Sequence, residues 1–210
     1  MTTYSLLASA VFATAALALL ALAALHVLKP DIHPARTMIS QYALGRYGWL
    51  MGLFFGGLAA ASGCLFVALI SHVSSVLGRT GLALLLAAAV ALAMAARFPM
   101  DPVSTPPAQM SFSGRMHGVA FMIGVPCQLF AVLLLSLVFG KQASQASLTL
   151  LGLTAVIWLS LAVVITVMLI VGPGKPPNPN GPERFLGWPN RLFMVAYGLW
   201  LMVAAWPMAQ

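Results

Sequence analysis

Four polar residues, far apart in the chain, have the types that a small reaction centre needs: Ser40, Asp101, His117 and Arg191. A histidine beside a carboxylate is held in one tautomer and can act as base or metal ligand. In such a centre His117 is the base or ligand and Asp101 orients it. Arg191 holds an anion through its planar fork, and Ser40 donates a hydrogen bond or attacks as nucleophile. Asp31 and His33 are local partners for a metal, so Asp31, His33 and His117 are the candidate ligands of a mononuclear site. No H-x-x-x-H or H-E-x-x-H spacing supports a metal, and no C-x-x-C-H supports an attached haem. Two axial histidines would have to sit at one depth on facing helices. His26 and His117 fall at one side of the apolar runs and His72 at the other, none of them central. The residues name no cofactor. Each has a plainer reading too: a solvated histidine at a membrane boundary, or acids that pin loops to helix ends.

What must position these residues is almost entirely apolar. Of 210 residues, 61% are hydrophobic and 6% charged, against roughly 25% charged in a soluble domain. A chain this apolar cannot cover a surface that faces water, so its solvent is a bilayer. Ten Lys and Arg against three Asp and Glu give a net charge of +7. The basic residues stand singly at the ends of apolar runs, which is how a membrane protein anchors to anionic headgroups. Membrane lipids are therefore the expected partners, and nucleic acid is not. Cys64 and Cys127 lie deep inside apolar runs and read as small buried hydrophobes.

Six runs are long enough to span, over residues 5–27, 48–70, 81–96, 117–139, 148–171 and 191–208. The fold class is all-α: one polytopic domain over residues 1–210, with six transmembrane helices paired as hairpins and three longer loops on one face. No Lys or Arg precedes the first run, which reads as an uncleaved span and not as a signal peptide. Residues 38–47 suit a short amphipathic helix at the interface, with Tyr42, Tyr47 and Trp49 as an aromatic belt. Gly52, Gly56, Gly57, Ala60 and Gly63 recur near helical spacing and permit close helix approach. Gly52, Gly56 and Gly63 are expected to face a neighbouring helix, and such Gly/Ala-rich helices also suit homo- or hetero-oligomers. Pro126 predicts a kink in the fourth span. Midplane polar groups that a carrier or channel would use are Ser62, Gln128, Thr154, Ser160 and Thr166, with no charge among them.

The loops alternate. The first, third and fifth carry Lys29, Arg36, Arg46, Arg97, Arg115, Lys175, Arg184 and Arg191; the second and fourth carry only Arg79 and Lys141. The positive-inside rule places the long loops in the cytoplasm and both termini outside, in the bacterial inner membrane. Asp31, Asp101 and Glu183 share the long-loop face, so some of these arginines serve a site on this reading and not topology alone. Loop one reads P-D-x13-G-R-Y-G from Pro30, and loop three P-M-D-x12-G-R-M-H-G from Pro99. The spacing admits a repeat of helical hairpins; a general preference for Gly and Arg at membrane re-entry gives the same letters.

The stretches ISQYALGRYGWLM from Ile39, FPMDP from Phe98 and SGRMHG from Ser113 resemble the DUF998 membrane proteins of bacteria and archaea. The Asn-Arg pair before the last helix, with Leu199-Trp200 in it, is similar to that family's final segment. The resemblance spans nearly the whole chain and implies a six-helix membrane domain with no established activity. Matched by motif, it points to Ser40, Asp101, His117 and Arg191. The family pattern often has an acid before the last arginine, where Asn190 stands here, so no role needing a carboxylate there carries over.

Two functions follow. One is a small membrane-embedded enzyme or lipid-headgroup site on the loop-rich face; the other is a non-catalytic partner subunit or small carrier. The first predicts that Asp101 and His117 approach one another, with Arg191 or Arg115 close to Asp101.

Overall fold

A computed structural model of the protein describes residues 2–140, 144–171 and 181–209. Lys141, Lys175 and Gln210 lie outside the described residues, as does the side chain of Glu183. The described residues are all helix and connection, without a strand. Six α-helices carry the fold: α1 (Thr3–Leu28), α2 (Trp49–Leu69), α3 (Val76–Arg97), α4 (Phe112–Phe139), α5 (Gln145–Val171) and α6 (Gly187–Ala209). They hold 21 to 28 residues each. At about 1.5 Å per residue, each crosses a hydrocarbon core of ~30 Å. All six are long and apolar enough to do so.

The helices close into a ring in chain order. Each packs on its sequence neighbours, α6 returns to α1, and α2 also touches α6 across the interior. The α4–α5 seam is the loosest between consecutive helices. Burial on α1 shows how a nearly uniform apolar sequence picks a face. Ala8, Val11, Ala15, Ala18, Leu22 and Leu25 are buried, a 3-4-3-4-3 spacing that makes one stripe. The other side presents Leu6, Leu17 and Leu20 outward, as a lipid-facing surface requires.

Close approach is greatest between α1 and α2. A Cβ on Gly57 would stand 2.7 Å from the Thr14 carbonyl and 3.0 Å from Ala18. Gly52 and Gly56 face α3, where a Cβ would meet the Ala96 carbonyl at 3.3 Å and the Ala96 methyl at 3.8 Å. Gly63 departs from expectation: nothing lies within 4 Å of its Cβ position. It stands on another side of α2 from Leu65 and Ala68, which are buried beyond it.

Interior polar groups mostly satisfy one another. Trp200 Nε1 donates to Ser136 Oγ at 2.8 Å, and Ser136 pairs with Thr154 at 2.9 Å. Ser62 donates to Leu58 O, so the 2.8 Å bond with Tyr197 takes its proton from the tyrosine. Thr166 bonds its own helix at Ala162 O. Gln128 Nε2 and Trp158 Nε1 are buried without a partner among the described residues.

Several helices begin earlier than the apolar runs do. α3 starts at Val76, five residues before the run, where Ser75 accepts from Gly78 N; α4 starts at Phe112, where Ser111 accepts from Gly114 N. The expected interface helix over 38–47 is a five-residue 3-10 turn, Ile39–Ala43. Pro126 lies inside an unbroken α4.

Candidate functional site

The loop-rich end of the bundle holds two separate polar clusters, and the four expected site residues divide between them. The first is the junction of α3 and α4. Pro99 has no N–H, so α3 ends with carbonyls that its own backbone cannot satisfy. Side chains of α4 reach back to serve them. His117 Nδ1 donates to Phe98 O at 2.9 Å, and Ser113 Oγ donates to Pro99 O at 2.8 Å. Asp101 does the reverse for α4. Its two oxygens accept from Ser111 N at 2.7 Å and Ser111 Oγ at 2.8 Å, which places a carboxylate at a helix N-terminus, where the dipole favours it. A Cβ on Gly114 would overlap that carboxylate, so only glycine admits it.

The second cluster is buried between α1, α6 and the 3-10 turn. Arg191 is 4% exposed. Its Nε donates to His26 Nε2 at 2.7 Å, Nη1 to Thr37 O at 2.6 Å and Gly187 O at 3.0 Å, and Nη2 to Tyr42 Oη at 3.2 Å. Since Nε2 of His26 accepts, its Nδ1 carries the proton and donates to Leu22 O at 2.8 Å. The guanidinium also lies 5.4 Å from the Tyr42 ring centre. Lys29, 7% exposed, donates to Tyr42 O at 3.1 Å and to Leu44 O. Among the described residues every partner of these two cations is neutral. Arg191 has five N–H groups and Lys29 three; four and two of them have protein acceptors.

Of the expected convergence, Asp101 and His117 stand at one junction without a bond between them, and Arg191 belongs to the other cluster. Asp101, His117 and Arg191 share no hydrogen bond, and the Asp101 carboxylate is held by Ser111 and not by Arg191 or Arg115. Ser40 is half-buried within the 3-10 turn, whose first N–H, on Ile39, donates to Asn190 Oδ1 at 2.9 Å. The oxygen needed at position 190 is thus an acceptor for backbone, which a carboxamide supplies. Among the described residues no three His, Cys, Asp or Glu side chains stand close enough to share a metal, so Asp31, His33 and His117 are not assembled as ligands. His33 Nδ1 accepts from Ala35 N, which leaves it in its own loop. The two G-R motifs also differ: Gly45 is left-handed (φ 72°) in the turn before α2, whereas Gly114 is helical. The described residues therefore do not repeat one local structure.

Sequence reasoning missed His26, Lys29 and Tyr42 as parts of a site. His26 and Lys29 read as the boundary of the first span, and Tyr42 as an aromatic belt residue. The available signal was the excess of cations over acids on that face: with three acids against eight basic residues, any cation that was buried there was short of a carboxylate partner.

The chain belongs to DUF998, a family of proteins of unknown function, whose pattern matches residues 12–207. No curated protein and no solved structure matches it.

Proposed function

We propose that this member of DUF998 is a non-catalytic multi-pass membrane protein whose loop-rich face binds the headgroup of an anionic lipid. The observation that carries this is the pair of buried cations, Lys29 and Arg191, held among the described residues only by neutral oxygens and nitrogen. A buried charge without a counterion is costly, and in a low-dielectric setting its field reaches far. An anionic headgroup at the boundary is the counterion that a bilayer supplies. Asp101 and His117 weigh against catalysis, because the hydrogen bonds they make cap the ends of α3 and α4: Asp101 holds Ser111 through its N–H and hydroxyl, and His117 holds Phe98 O. The loop-rich face is proposed to be cytoplasmic, in the bacterial inner membrane, where anionic lipid is available.

The test uses the purified protein in detergent, with phosphatidylmethanol as a plain anionic phosphodiester lipid and phosphatidylcholine as its zwitterionic counterpart. The anionic lipid should be retained in excess and should raise the melting temperature. Arg191→Gln and Lys29→Gln should reduce the excess. Equal retention of the two lipids by the natural sequence overturns the reading.

A second reading, as a partner subunit, draws on α2. Ala60, Gly63 and Val67 share one outward stripe, and Gly63 has open space before it, as a helix–helix contact in the membrane uses. A particle mass of one chain in mild detergent, with no second protein, removes that support.

A further inference from the structure

α3 ends with carbonyls that have no donor among the described residues, and two of them stand at a cavity. Met94 O receives Phe98 N–H at 2.9 Å, but the next bond fails because residue 99 is proline, and no N–H of Met100 reaches Ala96 O. Phe98 O and Pro99 O are served from α4. Among the described residues Ala95 O and Ala96 O therefore have no donor. Ala95 and Ala96 line a cavity of about 230 Å³ whose opposite wall is the turn into α2, with Ala43, Gly45, Gly48 and Gly52. These six residues have no polar side-chain atoms, so the polar groups they offer are main chain; Trp49, also in the lining, adds an indole N–H. Ala96 O is turned toward Gly52, at 3.3 Å from where a Cβ would stand. The left-handed Gly45 and Tyr47 (φ 72° and 64°) bend the turn that closes the other side.

Both walls have a cation next to a lining residue in the chain. Arg46 stands in that turn and Arg97 ends α3, one on each wall, both exposed. Their guanidinium groups lie over the Tyr47 and Phe98 rings, at 4.7 and 5.6 Å from the ring centres. Lys29 clamps the same turn from behind, at Tyr42 O and Leu44 O.

We propose that this cavity takes the glycerol headgroup of an anionic phospholipid, with its hydroxyls donating to Ala95 O and Ala96 O and its phosphate between Arg46 and Arg97. The inference rests on the lipid-headgroup reading above and names the headgroup. Free acceptors call for a donor, and the negative end of a helix dipole reinforces that. An ammonium would donate too, but the segments that wall the cavity carry Arg46 and Arg97, and Lys29 holds one of them. A hydroxyl donates without adding charge, and the phosphodiester beside it satisfies the two arginines. The volume far exceeds what one water needs, and the mouth lies at Trp49, an exposed aromatic of the boundary.

The experiment compares phosphatidylglycerol with phosphatidylmethanol, which has the same charge and no hydroxyl, by native mass spectrometry of the full chain. The natural sequence should retain phosphatidylglycerol about tenfold better, the ratio that one net hydrogen bond gives. Ala95→Leu, which fills the cavity, should remove that preference while phosphatidylmethanol is still held over phosphatidylcholine. Should Ala95→Leu fail to fold, Gly52→Ala narrows the same space and should shrink the preference. Equal retention of the two anionic lipids by the natural sequence overturns the inference and leaves the headgroup reading standing. A preference that survives in the folded filled variant overturns it too. Failure of both anionic lipids to exceed phosphatidylcholine overturns both. Water-soluble glycerol phosphate is the last arm: displacement of the lipid by it places the natural ligand in solution at the same site, and no displacement places it in the bilayer.

Discussion

Asp101 shows how a residue that looks catalytic can be structural. An acid in a Pro-rich loop near a histidine reads as half of a proton-transfer pair, because sequence reports type and spacing but not which backbone groups lack partners. Pro99 sets the demand, by leaving α3 without its closing bonds, and His117, Ser113 and Asp101 meet demands of this kind at the α3–α4 junction. The chain could have disclosed this much: Ser111 followed by Gly114 just before an apolar run is a helix N-terminus signal. Arg191 was legible as an anion-holding type but not in its position, since its partners His26 and Tyr42 are 165 and 149 residues away. They meet it only because α6 closes on α1. The staple at Asp101 makes a sharp prediction. Asp101→Ala should cost about 1–2 kcal/mol, the range of lost N-terminal caps. Gly114→Ala should cost a similar amount, because the new methyl displaces the same carboxylate. The double variant should then lose little more than either single one. Chemical or thermal unfolding in detergent reads this, and losses that simply add would show that Gly114 and Asp101 act apart.

The number and order of helices are plain in the sequence because six apolar runs admit no other element in a bilayer. Their ends are less plain, since an apolar run marks the hydrocarbon crossing and a helix continues into the interface until a cap stops it. That is why α3 and α4 each begin five residues ahead of their runs, at Val76 and Phe112, capped by Ser75 and Ser111. The packing face of α2 was half legible. Gly52 and Gly56 face α3 as their spacing implied, but Gly63, equally small and equally spaced, faces open space. A glycine becomes important only where another helix crosses, and the crossing point depends on ring closure. The tightest contact is at Gly57, under Thr14 and Ala18. Gly57→Leu should therefore prevent α1 from seating and lower the melting temperature steeply, whereas Gly63→Leu should leave it nearly unchanged. Equal melting temperatures in the two variants would mean that α1 and α2 do not pack through Gly57.

At the scale of the whole molecule, six crossings put both termini on one side and the three long connections on the other. The sign of the charge then decides which side is which. Eight of ten basic residues belong to the long connections, and from the rule that cytoplasmic loops keep Lys and Arg we expect them inside. The structure complicates that count in a physical way. Lys29 and Arg191 are buried and bonded, so they are committed to the fold and weigh on orientation less directly than free charges. Lys175 lies outside the described residues. Arg36, Arg46, Arg97, Arg115 and Arg184 remain exposed or half-buried on that face, against Arg79 and Lys141 on the other. The bias therefore survives the subtraction, with five against two, and the orientation should hold. A reporter fused after Gln210 should be active only when it is periplasmic, and should stay so in Arg191→Gln. Adding two lysines to the 140–145 connection and replacing Arg36 and Arg46 by Gln should weaken the bias and yield a mixed population. A cytoplasmic signal from the terminus of the natural sequence would invert the molecule. The arginine-rich face would then look outward, and its excess charge would have to be explained by what it binds there.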